Sequence, residues 1–145
     1  MEEILKMIEE VDPSDTAKLN EIDARVWCFI NQKKYYGQMQ KASLVDRKCF
    51  AYGNDAGPTH WCVVGERALN VWFADLYTRS RDALKAIRPE GYAVKVESSL
   101  FKNECFAWLL SEDMDTVFRA INMPTEELAE LSTILQAINY ERTKK

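Results

Sequence analysis

The sequence predicts an α+β fold: an antiparallel β-sheet of about five strands covered by helices, in a single domain over residues 1–145. Helical periodicity marks both ends of the chain, and β-rich runs separated by turn-forming residues fill the middle. The composition, 47% hydrophobic and 29% charged, is that of an ordinary globular protein. A chain of 145 residues can bury a sufficient core without disulfides or structural metals.

The N-terminal segment predicts an αα-hairpin. A first helix over residues 2–11 has Ile4, Leu5, Ile8 and Val11 on one side. The Asp12-Pro13-Ser14 turn ends it, and Ser14 or Asp15 can cap a second helix that runs to about Asn31. The second helix has apolar residues at three- and four-residue steps, typical of one buried face: Leu19, Ile22, Val26, Phe29 and Ile30.

The middle of the chain predicts strands. The runs KCFAY and HWCVVG are rich in β-forming residues and are separated by the turn formers of GNDAGPT. The run LNVWF adds a further strand, with Trp72 on the face opposite its neighbours. If helices cover both faces of the sheet, Trp72 lies in a second core. If one face is bare, Trp72 joins an exposed patch suited to a partner.

The next segments predict a short helix and a strand. YTRSRDALKAI is helical in pattern, capped by Thr78 and ended by Pro89 and Gly91. YAVKVESSLF alternates apolar and polar residues, which is typical of a half-buried strand.

The C-terminal segments predict a hairpin, a last strand and a closing helix. Lys102-Asn103 can turn the chain into the strand ECFAWLLSE, and TVFRAI is the last strand. The closing helix begins near Pro124 and carries acidic residues in its first turn, as the helix dipole favours. Its apolar stripe consists of Leu128, Leu131, Ile134, Leu135 and Ile138.

Charge and cysteine usage exclude several classes of protein. The net charge of −4 argues against nonspecific nucleic-acid binding, which needs a basic field. The four cysteines form no C-x-x-C pair and accompany a single histidine, so neither a metal site nor a disulfide framework is predicted. The acidic N-terminus lacks the pattern of a signal peptide, and no apolar run is long enough to span a membrane. The expected location is the cytoplasm.

Three stretches of the chain are informative as a set: LNEIDARVWCFI, YTRSRDALKAIRPEGY and TEELAELSTILQAI. Together they resemble the phage α-β-α sandwich domain family of small phage and prophage proteins. Members of that family commonly pair an L-D-A-R/E-I helix with a Y-T-x-S-x-D-A-A segment, a P-E-G-W/Y strand entry and a closing helix. Arg81 departs from the pattern, which has an apolar residue there. The resemblance implies helices on both faces of the sheet, a phage origin and no enzymatic activity that could be transferred.

Two residue types that often carry catalysis favour structural roles here. Cys28 lies near a helix C-terminus, whose partial negative charge opposes a thiolate, so core packing is favoured. His60 precedes Trp61 at the start of a strand, and catalysis through it would need an acidic or nucleophilic partner nearby. A surface histidine is the favoured interpretation, and an enzyme using His60 is the least favoured function.

Two segments are candidate ligand- or partner-binding sites. Lys33, Lys34, Tyr35 and Tyr36 combine cations with rings that can stack on bases, although the same residues suit a helix exit. The segment Thr78, Arg79, Ser80 and Arg81 places two arginines at a helix start. That arrangement is unfavourable unless an anion or an acidic side chain meets them. In the structural alternative, both arginines are solvated or are paired with Glu90 or Asp82.

The leading functional hypothesis is a non-enzymatic phage accessory protein that binds a host protein in the bacterial cytoplasm, such as an anti-defence inhibitor. Its grounds are the family resemblance, the acidic charge and the small size. The alternative is a binder of a small anionic ligand, such as a signalling nucleotide, through the Thr78–Arg81 segment and Lys33–Tyr36. No cofactor is expected. A sheet face left bare would favour a homo-oligomer.

Overall fold

The computed structural model describes residues 1–39, 59–64, 67–70, 76–99 and 104–144. It shows the predicted α+β class, with helices and antiparallel strands. The chain divides into two compact units, one made of Met1–Leu19 with Leu76–Lys145 and the other of Asn20–Asp75. A single domain over residues 1–145 stays a prediction.

Both predicted N-terminal helices are confirmed. Helix α1 spans Glu2–Glu10 and helix α2 spans Thr16–Ile30. The Asp15 carboxylate accepts a hydrogen bond of 3.1 Å from the backbone N–H of Lys18, which makes Asp15 the cap of α2. In the turn between the helices, the Asp12 carboxylate accepts from both the backbone N–H and the hydroxyl of Ser14. These bonds lower the pKa of Asp12 because they favour its ionised form.

Helix α2 ends in a Schellman motif. The backbone N–H of Lys33 donates to the carbonyl of Cys28 at 2.8 Å, and that of Gln32 donates to the carbonyl of Phe29 at 3.3 Å. Gln32 has φ of 54°, a left-handed conformation that glycine usually supplies. The chain enters a strand at Lys34, one residue after the motif. The interpretation of Lys34–Tyr36 as a helix exit is therefore wrong, since only Lys33 belongs to the exit.

The second unit contains a three-stranded antiparallel sheet. Strands β1 (Lys34–Met39), β2 (Thr59–Val64) and β3 (Arg67–Asn70) pair in the order β1-β2-β3. Strand β2 confirms the prediction from HWCVVG, and β3 overlaps the start of LNVWF. The KCFAY run and Trp72 lie outside the described residues. Sequence analysis missed β1 because its glycine and lysine weaken the strand signal.

The first unit contains the C-terminal elements. Helix α3 (Arg81–Ile87) is followed by strands β4 (Tyr92–Ser98), β5 (Cys105–Ser111) and β6 (Val117–Met123), and helix α4 (Glu126–Thr143) closes the chain. The strands pair in the order β4-β5-β6, all antiparallel. The described strands thus form two three-stranded sheets, and a single sheet of about five strands is not confirmed.

The start of α3 corrects one predicted cap. The hydroxyl of Ser80, not of Thr78, accepts the hydrogen bond from the backbone N–H of Ala83, at 3.3 Å. Thr78 lies two residues earlier, in the preceding turn, and is buried. The helix also begins at Arg81 rather than near Thr78, because residues 77–79 form that turn first.

Helix α4 is the centre of the first unit. It packs against all three strands β4, β5 and β6 and also against α1 and α3. Four members of the predicted stripe, Leu128, Leu131, Ile134 and Leu135, are buried, and Ile138 is half-buried. Residues between them are buried as well: Ala129, Glu130, Ser132, Thr133 and Ala137. The layers described here therefore run sheet, α4, then α1 and α3. The expected helices on both faces of one sheet are not confirmed in this unit.

Candidate partner-binding face

The sheet β4-β5-β6 has one face turned to α4. Strand β5 contributes Cys105, Ala107 and Leu109 to that side, all of them buried. Ala107 is paired with Val96 on one neighbour and with Ala120 on the other. Since alternate residues of a strand point to opposite faces, the residues between these belong to the other side of the sheet.

The other side of the sheet meets solvent. We name it the open sheet face and define it by nine residues: Ala93, Lys95, Glu97, Phe106, Trp108, Leu110, Val117, Arg119 and Ile121. The three residues of the central strand are half-buried, and the six on the flanking strands are exposed. The exposed fractions of Val117 and Ile121 are 45% and 59%, high for large apolar side chains. Apolar residues kept at this level of exposure are typical of a binding surface.

Strand pairing arranges the open sheet face into rows. The middle row is Lys95, Trp108 and Arg119, so that an indole ring lies between two cations. An apolar row of Ala93, Leu110 and Val117 lies on one side of it. Phe106 and Glu97 are paired on the other side, next to Ile121. The face therefore has an aromatic and aliphatic centre with charged residues on both flanks.

The side chains of this face contact one another. The rings of Phe106 and Trp108 lie 6.3 Å apart, centroid to centroid, and are inclined by only 18°. The Lys95 Nζ lies 5.7 Å from the centre of the Trp108 ring, within the range of a cation–π contact. The same Nζ is 3.0 Å from the Glu97 carboxylate. Phe106 and Trp108 thus pack against each other beside Lys95, and both stay half-buried rather than fully covered.

A β-bulge sets which side chains of β6 reach this face. Ala107 pairs with Ala120 but Cys105 pairs with Met123, so β6 holds one extra residue between the two pairs. Asn122 lies in this stretch and has φ of 57°. Because of the extra residue, Met123 is buried at 3% exposure while Ile121 stays on the open sheet face.

The predicted Lys33–Tyr36 segment and His60 lie in the second unit. Lys33 ends α2, and Lys34 to Tyr36 lie on β1, with Tyr36 at an irregularity in the pairing with β2. The Tyr35 ring lies under the guanidinium of Arg25, 4.3 Å from the ring centre. The backbone of His60 pairs with Gln38 of β1, so the two predicted segments share one sheet.

The predicted Thr78–Arg81 segment lies in the first unit. Arg79 is half-buried in the turn before α3. The Nε of Arg81 donates to the Glu130 carboxylate at 3.1 Å, and its guanidinium also approaches Glu126 at 4.0 Å. Arg81 is therefore paired with an acidic side chain, as one alternative from the sequence has it. The partner, however, lies on α4 and is neither Glu90 nor Asp82. Arg81 has no need of a ligand to balance its charge.

A shallow depression of about 270 Å³ lies at the other end of α4, where β4 and the turn after β5 approach the helix. The hydroxyl of Tyr92 donates to the Glu141 carboxylate there at 2.7 Å. Burial and this acidic neighbour raise the pKa of Tyr92 to about 12. Hydrogen bonds from Ser111 and the backbone of Asp115 lower the pKa of Asp113 on the rim.

The cysteines that the structure describes in full, Cys28 and Cys105, both lie in buried positions. The buried position of Cys28 agrees with the packing role that the sequence favours. Among the described residues, no group of three or more histidine, cysteine or carboxylate side chains is placed to hold a metal ion. No helix within the described ranges combines the length and apolarity needed to cross a membrane.

Comparison of the chain with protein-family models, with curated proteins and with solved structures found no match. The resemblance to the phage α-β-α sandwich domain family stays a prediction from the three sequence stretches. Function has to be inferred from the surfaces of the molecule, among which the open sheet face is the strongest candidate.

The sequence pattern alone does not reveal the open sheet face. In ECFAWLLSE every residue from Cys105 to Leu110 is apolar or aromatic, which is also the pattern of a strand buried on both sides. The informative signal lies on the neighbouring strands. Lys95 and Glu97 on β4 and Arg119 on β6 alternate with inward residues, and all three fall on the side of Trp108 once the register is known.

Proposed function

We propose that this protein acts by non-covalent binding of a partner protein through the open sheet face. The observation that supports this most directly is the half-buried Phe106–Trp108 pair bordered by the exposed aliphatic residues Val117 and Ile121. Protein interfaces characteristically combine an aromatic and aliphatic centre with a charged rim that includes arginine. The open sheet face has both parts.

The same proposal includes a biological setting, a phage protein that acts on a bacterial host protein. Its support is the sequence. The resemblance to the phage α-β-α sandwich domain family supports a phage or prophage accessory protein of that fold, without catalytic activity. The partner would then be a host protein in the bacterial cytoplasm, such as a defence component that the phage protein inhibits. The alternative of a small anionic ligand at Thr78–Arg81 receives less support, because Arg81 is already met by Glu130.

A paired capture experiment tests the proposal. The tagged wild-type protein, Ile121→Asp and Leu76→Asp are each used to retain proteins from a bacterial host. Ile121 and Leu76 are matched, since both are exposed apolar residues, at 59% and 51%, and only Ile121 lies on the open sheet face. We expect wild type and Leu76→Asp to retain the same host protein and Ile121→Asp to lose it. A carboxylate in an apolar contact costs about 2 kcal/mol, roughly a thirtyfold loss of affinity.

Direct binding of the purified host protein by calorimetry completes the test. Equal affinity of the wild type and Ile121→Asp for the captured protein would refute the open sheet face as the contact surface. Failure of the wild type to retain any host protein would count against the partner-binding function itself. Circular dichroism of both variants excludes loss of folding as the cause.

A further inference from the structure

We propose that the partner segment bound by the open sheet face is acidic, with carboxylates on both sides of an apolar anchor residue. This inference rests on the proposed function and adds the chemistry of the partner. It follows from the charges in the middle row, where Lys95 and Arg119 lie on either side of Trp108. A hydrophobic side chain seated on the indole would have its flanking residues next to these two cations.

The charge of the face differs in sign from that of the chain. The open sheet face holds two cations, Lys95 and Arg119, and one anion, Glu97, a balance of +1, whereas the whole chain carries −4. Lys95 and Glu97 have side chains that are 70% and 51% exposed, so their mutual ion pair is weak and open to competition. An acidic partner is attracted to this face and repelled by the remainder of the surface, which would fix where it docks.

Two other occupants fit the face less well. A second copy of this chain across a two-fold axis would bring the same patch against itself, so that two surfaces with the same excess of positive charge would meet. A single-stranded nucleic acid would find two aromatic rings but only two cations for its row of phosphates, with the Glu97 carboxylate beside them. The aliphatic residues Leu110, Val117 and Ile121 suit a protein side chain better than a phosphate backbone.

The test uses a displayed library of random short peptides selected on the wild-type protein. Peptides are then measured by fluorescence polarisation on the wild type, on the double variant Lys95→Glu with Arg119→Glu, and on Lys85→Glu. Lys85 is an exposed lysine on α3, outside the face, and its reversal shows how the loss of a surface cation elsewhere affects binding. Both substituted positions of the double variant are exposed, so the fold should tolerate them.

We expect the selected peptides to carry Asp or Glu on both sides of an aromatic or aliphatic residue. The double variant should weaken their binding by at least about tenfold and Lys85→Glu by less than about twofold. Glu97→Gln should strengthen binding by about two- to threefold, because it removes the internal competitor for Lys95. Binding should also weaken as salt is raised, since exposed ion pairs are screened.

The outcomes separate this inference from the proposed function. If Ile121→Asp abolishes peptide binding but charge reversal does not, the face is a contact surface and the acidic partner is refuted. If Ile121→Asp has no effect either, the proposed function fails as well. Tight binding of an oligothymidylate lost in the double variant, or a dimer by light scattering that Ile121→Asp dissociates, would overturn the acidic peptide in favour of nucleic acid or a second copy.

Discussion

Glu130 is a buried carboxylate whose charge is met by one arginine. Its side chain is only 4% exposed, and the Nε of Arg81 lies 3.1 Å from its Oε2. A buried charge without a partner is costly, whereas the pair is tolerated. This pairing explains why a cation stands at the start of α3, where the helix dipole disfavours it. The residue that looked like an anion site in the sequence is a structural contact between α3 and α4.

The Arg81–Glu130 pair predicts a measurable coupling. Arg81→Met should lower the free energy of unfolding by about 2 kcal/mol, below the usual cost of breaking a buried pair because the arginine is half exposed. Adding Glu130→Gln to Arg81→Met should recover part of the lost free energy of unfolding, because a neutral amide at position 130 costs less to bury than an unpaired carboxylate. Urea unfolding of the two single variants and the double variant gives the coupling energy. Simple additivity of the two effects would show that the contact carries no coupling.

Two elements end or bend at residues in the left-handed conformation. Gln32 closes α2 with φ of 54°, and Asn122 lies in the bulge of β6 with φ of 57°. Asparagine tolerates this region better than other non-glycine residues because its short amide can bond locally. Asn122 therefore suits its left-handed backbone better than Gln32 does.

The bulge in β6 should be sensitive to the residue at position 122. Asn122→Val should lower the free energy of unfolding by about 1–2 kcal/mol, because a β-branched residue is disfavoured at positive φ. Asn122→Gly should be close to neutral. The measurement is thermal or urea unfolding of both variants. A valine variant as stable as wild type would mean that β6 can pair without the bulge, which would also displace Met123 from its buried position.

The cap of α4 offers a second prediction for an element. The Thr125 hydroxyl accepts from the backbone N–H of Leu128 at 3.2 Å, and the helix it starts is the centre of the first unit. Thr125→Ala should destabilise the protein by about 1 kcal/mol and Thr125→Ser by much less, since serine keeps the acceptor. Equal losses in the two variants would instead point to packing of the threonine methyl group. Urea unfolding distinguishes these results.

Sequence patterns predict the individual helices and strands that have strong periodicity, but they do not predict how those elements pair and pack together. The spacing of apolar residues predicts helices α1, α2 and α4, and alternation predicts strand β4. The grouping of strands into sheets and the burial of α4 on several sides depend on packing between distant segments, which local periodicity does not encode. The same holds for the site, since Trp108 becomes a candidate only when the register places Lys95 and Arg119 beside it.

At the scale of the whole molecule, titratable groups that form hydrogen bonds make the stability depend on pH at both acidic and alkaline pH. The pKa values of Asp12 and Asp113 are lowered, so their contribution is present above the ordinary carboxyl range and is lost as the pH falls through the lowered values. Tyr92 acts at the alkaline end. Its pKa is raised from 10.0 to about 12, so its contribution is complete below pH 10 and is lost as the pH rises through about 12.

One substitution tests whether Tyr92 causes the loss of stability at alkaline pH. Between pH 10 and about 12 the folded protein keeps the Tyr92 proton while the unfolded chain releases it, so wild type should lose free energy of unfolding as the pH rises. Tyr92→Phe removes this term, and its curve of stability against pH should be flatter in that interval. Tyr140→Phe is the matched control, because Tyr140 lines the same depression. Parallel curves for wild type and Tyr92→Phe would refute the burial of Tyr92 and its hydrogen bond to Glu141 as the source of the alkaline sensitivity.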